Sequence, residues 1–93
     1  MSEHRVATVD DPEALQALAH PARVRILEAL REPASAAAVA RVVGQSRQNV
    51  NYHVKELERA GFVRRVGRRK NGNFTETLYQ ARAGTFLVSP RAW

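Results

Sequence analysis

Ninety-three residues without a cysteine exclude disulfide staples, thiolate metal sites and cysteine nucleophiles, and leave room for a single small core. Fifteen Lys and Arg against nine Asp and Glu leave a formal charge of +6, with a pI near 11.1. That balance favours an anionic partner, nucleic acid first among them, although a generic arginine-rich surface would produce it too.

Residues 1–10 show no useful periodicity and read as a flexible N-terminal arm. Asp11-Pro12-Glu13 then starts a helix expected over residues 11–19: Asp accepts from free N–H groups, Pro suits the first turn, and Glu favours the positive dipole end. Leu15 and Leu18 form its apolar stripe. His20-Pro21 restarts the pattern for a helix over 21–31, which buries Val24, Ile26 or Leu27, and Leu30, and which Pro33 ends. Ser35 caps a third helix over 36–43, closed by Gly44 in the left-handed conformation. Ser46 caps a fourth over 46–60, where Val50, Val54 and Leu57 recur at i, i+4 and i+7.

From Phe62 the period changes. Strands are expected at 62–69 and 74–80, joined at the turn signal Asn71-Gly72, with Thr75, Thr77 and Tyr79 on one face. Residues 81–93 read as an extension of the second strand, followed at Ser89-Pro90 by the start of a truncated helix. The expected fold class is mainly α with a β-hairpin wing, a winged helix-turn-helix DNA-binding domain over residues 11–80. The longest apolar run falls far short of the roughly 18 residues of a membrane span, and the polar N-terminus is no signal peptide, so a cytoplasmic protein is expected.

If Val50, Val54 and Leu57 face inward, Arg47, Gln48, Asn51, Tyr52 and Lys55 lie along the outward side of the fourth helix. Gln48 and Asn51 carry amides that match adenine in the major groove, and Arg47 suits guanine or a phosphate. Tyr52 would stack on a sugar or a thymine methyl, or else pack under the wing. Ser46 is a cap first and a backbone contact second, because a helix N-terminus attracts phosphate. Lys55 suits phosphate, as do Arg23 and Arg25 more weakly, since either could pair with Glu28 instead. Arg68, Arg69, Lys70 and Asn71 stand at the wing tip, placed for phosphates or the minor groove. The plainer reading of the helix is an ordinary solvated face. His53 beside the inward stripe reads as a hydrogen-bonded core residue, and neither His4 nor His20 shares a helical face with it at ligand spacing. No Gly-rich phosphate loop, Gly-x-Ser-x-Gly or metal-spaced cluster is evident, so neither an enzyme nor a metal or cofactor site is expected.

Three segments carry a family likeness: Ala17-Leu18-Ala19-His20-Pro21-Ala22-Arg23-Val24-Arg25-Ile26-Leu27, Val50-Asn51-Tyr52-His53-Val54-Lys55-Glu56-Leu57, and Ala60-Gly61-Phe62-Val63. In order and spacing they resemble the ArsR-like winged helix-turn-helix regulators of bacteria. The resemblance implies a homodimeric repressor that binds double-stranded operator DNA and releases it when a small-molecule effector binds. Metal sensors of that family place paired cysteines on the third helix, where residues 36–40 here offer no ligand atom. Two rival readings stand beside the regulator: a winged helix that docks a protein partner, and a sequence-independent DNA binder driven by the wing.

Overall fold

A computed structural model describes residues 5–93. Four helices, α1 (Pro12–Ala17), α2 (Pro21–Ala29), α3 (Ala36–Val43) and α4 (Arg47–Arg59), precede a hairpin of β3 (Val63–Asn71) and β4 (Phe74–Ala81). Their order is that expected of a winged helix-turn-helix. Ile26, Leu30, Val39, Val50, Val54, Leu57 and Val63 are completely enclosed and form the centre of one core. The capping residues act as their chemistry dictates. Asp11 accepts from the Glu13 N–H, Ser35 from Ala38 and Ser46 from Asn49, each at 3.0–3.1 Å.

Gly44 closes α3 at φ 69°, which turns the chain into α4 within the three residues Gly44-Gln45-Ser46. No atom lies within 4 Å of a Cβ built there, so Gly44→Ala meets only the backbone penalty of the left-handed conformation. Thermal melts are expected to show that substitution costing about 1 kcal/mol.

Several boundaries differ from expectation. α1 stops at Ala17 rather than 19 and α2 at Ala29 rather than 31, because both chains tighten into turns whose N–H groups bond three residues back. On α2 the buried positions are Arg23, Ile26 and Leu27, joined by Leu30 at its C-cap, so Val24 is exposed and an arginine occupies the inner seat. The period i, i+3, i+4, i+7 still holds, but its first member is charged. The hairpin turn falls one residue later than the Asn-Gly signal. Asn71 pairs with Phe74, and Gly72-Asn73 are the two central residues, with Gly72 alone at positive φ (63°). That pattern belongs to the type II′ turn, which puts Gly first, and it lets β3 reach Asn71 instead of ending at 69.

The chain ends hold the larger corrections. Val6–Val9, expected within a loose arm, form β1; residues 1–4 of that arm lie outside the described residues. Residues 81–88 do not simply prolong β4. The strand stops at Ala81, and Thr85–Val88 form a separate strand, here β5, parallel to β1 with Val6 opposite Thr85 and Val9 opposite Val88. A two-residue strand, Ala34–Ser35, counts as β2 in chain order and pairs with β4, so the wing sheet runs β2-β4-β3. Val9 is buried, and the Phe86 ring meets Phe62 edge-on at 5.1 Å, which anchors the small parallel pair to the core. Ser89 caps a single 3-10 turn at Pro90–Ala92, its Oγ accepting from the Arg91 N–H.

Candidate nucleic-acid interface

α4 has two opposed faces, as a groove-reading helix requires. Val50, Val54 and Leu57 are fully enclosed, whereas Arg47, Gln48, Tyr52 and Lys55 are exposed and Asn51 is half-buried. Gln48, Tyr52 and Lys55 succeed one another at helical spacing along the outermost ridge. Arg47 and Asn51 lie on the ridge turned toward the wing, where they line a cleft of about 180 Å³ with Thr75, Thr77 and Tyr79. Ser46 stands exposed at the helix start with its Oγ engaged in the cap.

Register decides which wing cations share that side. Lys70 pairs with Thr75 and Arg68 with Thr77, and cross-strand partners project from the same face of a sheet. Arg68 and Lys70 therefore stand on the face that looks toward α4. Arg69 is ion-paired across the ladder with Glu76 at 3.3 Å, which offsets part of its charge. Asn71 is exposed at the tip. Arg65 is engaged elsewhere. Its guanidinium donates to Glu58 of α4 at 2.9 Å, and that bond, with the carboxylate charge, raises the arginine's pKa. Its carbon also lies 5.9 Å from the centre of the Tyr79 ring. This strut ties the wing root to the C-terminal turn of α4. Nothing in the amino-acid pattern singled it out, since Glu58 and Arg65 belong to different elements.

Two of the weaker backbone candidates separate. Arg25 is exposed on α2, but Arg23 is only 6 % exposed. The Arg23 guanidinium donates from Nε to His53 Nδ1 at 3.0 Å and from Nη1 to the Ala17 carbonyl at 3.1 Å. Arg23 is thus a correction: its charge is spent inside the fold, holding α1, α2 and α4 together. His53 is half-buried and hydrogen-bonded, as its place beside the inward stripe suggested. His20, which shares no helical face with it, nevertheless comes within 6.1 Å, ring centre to ring centre. His4 lies outside the described residues. Among the described residues no group of three or more His, Cys, Asp or Glu converges as a metal site.

Burial, the Arg23 charge and, less, His20 push the His53 pKa below its ordinary 6.5. The unfolded chain therefore takes up this proton more readily than the folded one. The stability contributed by neutral His53 is complete above pH 6.5 and is lost as the pH falls through the depressed folded-state value. Denaturation followed from about pH 8 to about pH 5 is expected to show that loss, and His53→Asn, which keeps an acceptor near the Nδ1 position, is expected to flatten it.

Tyr52 is 59 % exposed and does not pack under the wing. Its ring stands edge-on to His53 at 5.5 Å, with the Arg23 guanidinium carbon 6.0 Å from its centre.

A short helix, a tight Gly turn, a second helix with an enclosed stripe and a polar outer ridge, and a basic hairpin beside it define a class: the winged helix-turn-helix DNA-binding domain of transcriptional regulators. The chain belongs to the helix-turn-helix domain family, whose model matches residues 18–66. Among solved structures it is similar to Rv0081 of Mycobacterium tuberculosis at 36 % identity, over 76 % of this chain and 68 % of that one, with a TM-score of 0.59. It is also similar to the ArsR-family transcriptional regulator RHA00566 at 28 % identity, over 74 % and 71 % of the two chains, TM-score 0.57. The fold is shared with the homodimeric winged helix-turn-helix DNA-binding domain Mb0332 of Mycobacterium bovis, at 23 % identity over 73 % of this chain and 59 % of that one, TM-score 0.58. No curated protein matches the chain. No helix among the described residues is long and apolar enough to cross a membrane.

Proposed function

We propose that this protein is a sequence-specific transcriptional repressor that binds a pseudo-palindromic operator as a homodimer. The observation that carries the reading is the juxtaposition on one side of the molecule of the Gln48–Tyr52–Lys55 ridge, the Arg47–Asn51 ridge and the Arg68–Lys70 face of the wing. In this reading α4 enters the major groove, where Arg47, Gln48, Asn51 and Tyr52 meet base edges. Ser46, Lys55 and Arg25 touch the backbone, and the wing, with Arg68, Lys70, Asn71 and the partly neutralised Arg69, lies along the flanking phosphates or minor groove. Two-fold symmetry sets the half-sites about 10 base pairs apart, or a multiple of that. The homodimeric state of the Mycobacterium bovis domain supports the dimer. Release by a small-molecule effector requires that it bind the DNA-incompetent state more tightly.

Fluorescence anisotropy with the duplex upstream of the protein's own gene, against a scrambled duplex across a salt series, tests this. A preference for the native duplex that survives physiological salt is expected. Replacing Gln48 and Asn51 with Ala is expected to erase most of it, at about 1–3 kcal/mol per lost bidentate contact. Equal affinities that collapse together with salt would leave only phosphate binding, and no binding even at low salt would leave the protein-docking reading.

A further inference from the structure

A buried arginine that finds no carboxylate is an expensive way to fill a core position. Among the described residues the hydrogen-bond partners of Arg23 are a neutral imidazole and a main-chain carbonyl. Val24, next to it, is left at the surface, so the helix places its cation inward and an aliphatic side chain outward. An apolar residue in that seat would avoid the desolvation cost of the guanidinium. What the arginine does, and an aliphatic side chain does not, is reach three places at once. It bonds the end of α1 through the Ala17 carbonyl, bonds α4 through His53 Nδ1, and stands beside the ring of Tyr52. Tyr52 in turn leans edge-on against His53. Tyr52 is on the exposed ridge of α4, so the one buried cation of α2 reaches the outer face through His53 and Tyr52.

We propose that Arg23 and His53 are positioning residues for operator reading, the buried guanidinium fixing α4 at His53 and holding the Tyr52 ring in its place on the groove-facing ridge. The inference rests on the reading of α4 as the recognition helix. The bond from Nε fixes the imidazole plane, because its acceptor must be the unprotonated Nδ1. A fixed imidazole limits the rotations open to the neighbouring phenol ring. Protonation of His53 replaces the acceptor with a donor and sets two cations face to face, so the contact is lost on the acid side. His53 is faced by Arg23 of α2 and His20 at the start of α2, and flanked on α4 by Tyr52. One turn on, Glu56 is paired with Arg59 at 2.9 Å, and Asp11 and Glu13 from the start of α1 line the surface beside it.

The test measures affinity of the full chain for the upstream and the scrambled duplex in wild type, His53→Leu, His53→Asn, Tyr52→Ala and the His53→Leu/Tyr52→Ala double variant. His53→Leu is expected to cut the preference for the upstream duplex about tenfold, the order of one lost base contact, with scrambled-duplex affinity unchanged. His53→Asn is expected to restore it, and the double variant to lose no more than Tyr52→Ala alone. In wild type the preference is expected to fall with pH below 6.5, and in His53→Asn to stay level. That pH profile keeps the test decisive should His53→Leu fail to fold. Unchanged preference in His53→Leu, additive losses in the double variant, parallel losses on both duplexes in step with melting temperature, or a wild-type preference indifferent to pH would each overturn the proposal. A wild type that never prefers the upstream duplex would overturn the recognition-helix reading itself, and the positioning role with it.

Discussion

Replacing Arg68 and Lys70 together with Glu is expected to lower affinity for any duplex by orders of magnitude. Both side chains are exposed and share the wing face that looks toward α4, through their register partners Thr77 and Thr75. If each neutralises one phosphate, losing both contacts should reduce the slope of log affinity against log salt by about 1.8, at about 0.9 per phosphate. The reversed charges add repulsion to that loss. Arg69 is left in place because its pairing with Glu76 serves the hairpin. Titrations of operator and scrambled duplexes at several salt concentrations should show both curves weakened and flattened. Two affinities that match wild type would remove the wing from the interface, and a protein-docking role would survive the change unharmed. The remaining preference, expressed as a ratio of the two affinities, separates the wing from α4: it should persist, since the outer ridge of α4 proposed to read bases is untouched.

Leu57→Ala should produce the largest loss of stability among the substitutions considered. Leu57 is 0 % exposed and lies on the inner stripe of α4 with Val50 and Val54. Truncating it removes apolar burial and leaves a cavity bounded by helices and wing strands that cannot all collapse inward, a cost of about 3 kcal/mol. In a domain of this size that corresponds to a fall in melting temperature of roughly 12–24 °C, and takes a large share of a total stability of about 5–15 kcal/mol. Circular dichroism melts measure it directly. A change of only a degree or two would mean that α4 is not seated as described. DNA binding below the transition should remain, because Leu57 presents nothing to the outer ridge.

Much of the candidate interface is legible in the residue pattern. The inner stripe Val50, Val54 and Leu57 determines the outward side of α4 by helical geometry alone, which is why Arg47, Gln48, Tyr52 and Lys55 stand exposed. Alternation along β4 likewise puts Thr75, Thr77 and Tyr79 on one face, and all three line the cleft with Arg47 and Asn51, which Glu76 lines as well. Arg23 could not be placed this way. The residue pattern offers Val24 as the inward member and leaves Arg23 for phosphate, because a charge is rarely buried, and only the acceptors at His53 and Ala17 make its burial tolerable. β1 was equally hidden. Its four residues pair with a strand 79 positions away (Val6 with Thr85), and a parallel partner at that distance leaves no turn signal between them.

The sequence by itself determined the helix starts, the turn at Gly44, the enclosed and exposed faces of α4 and the existence of a basic hairpin. Each of these is a matter of local period, capping chemistry or backbone conformation, and so is written within a few consecutive residues. Only the tertiary structure decided that Val6–Val9 and Thr85–Val88 form a parallel pair, that Arg65 belongs to Glu58 and Arg23 to His53, and that Arg68 and Lys70 join Arg65 on the wing face toward α4. Those outcomes depend on which acceptor lies within hydrogen-bond reach across elements, and on the register of one strand against another, distances that the order of residues along a single element does not contain.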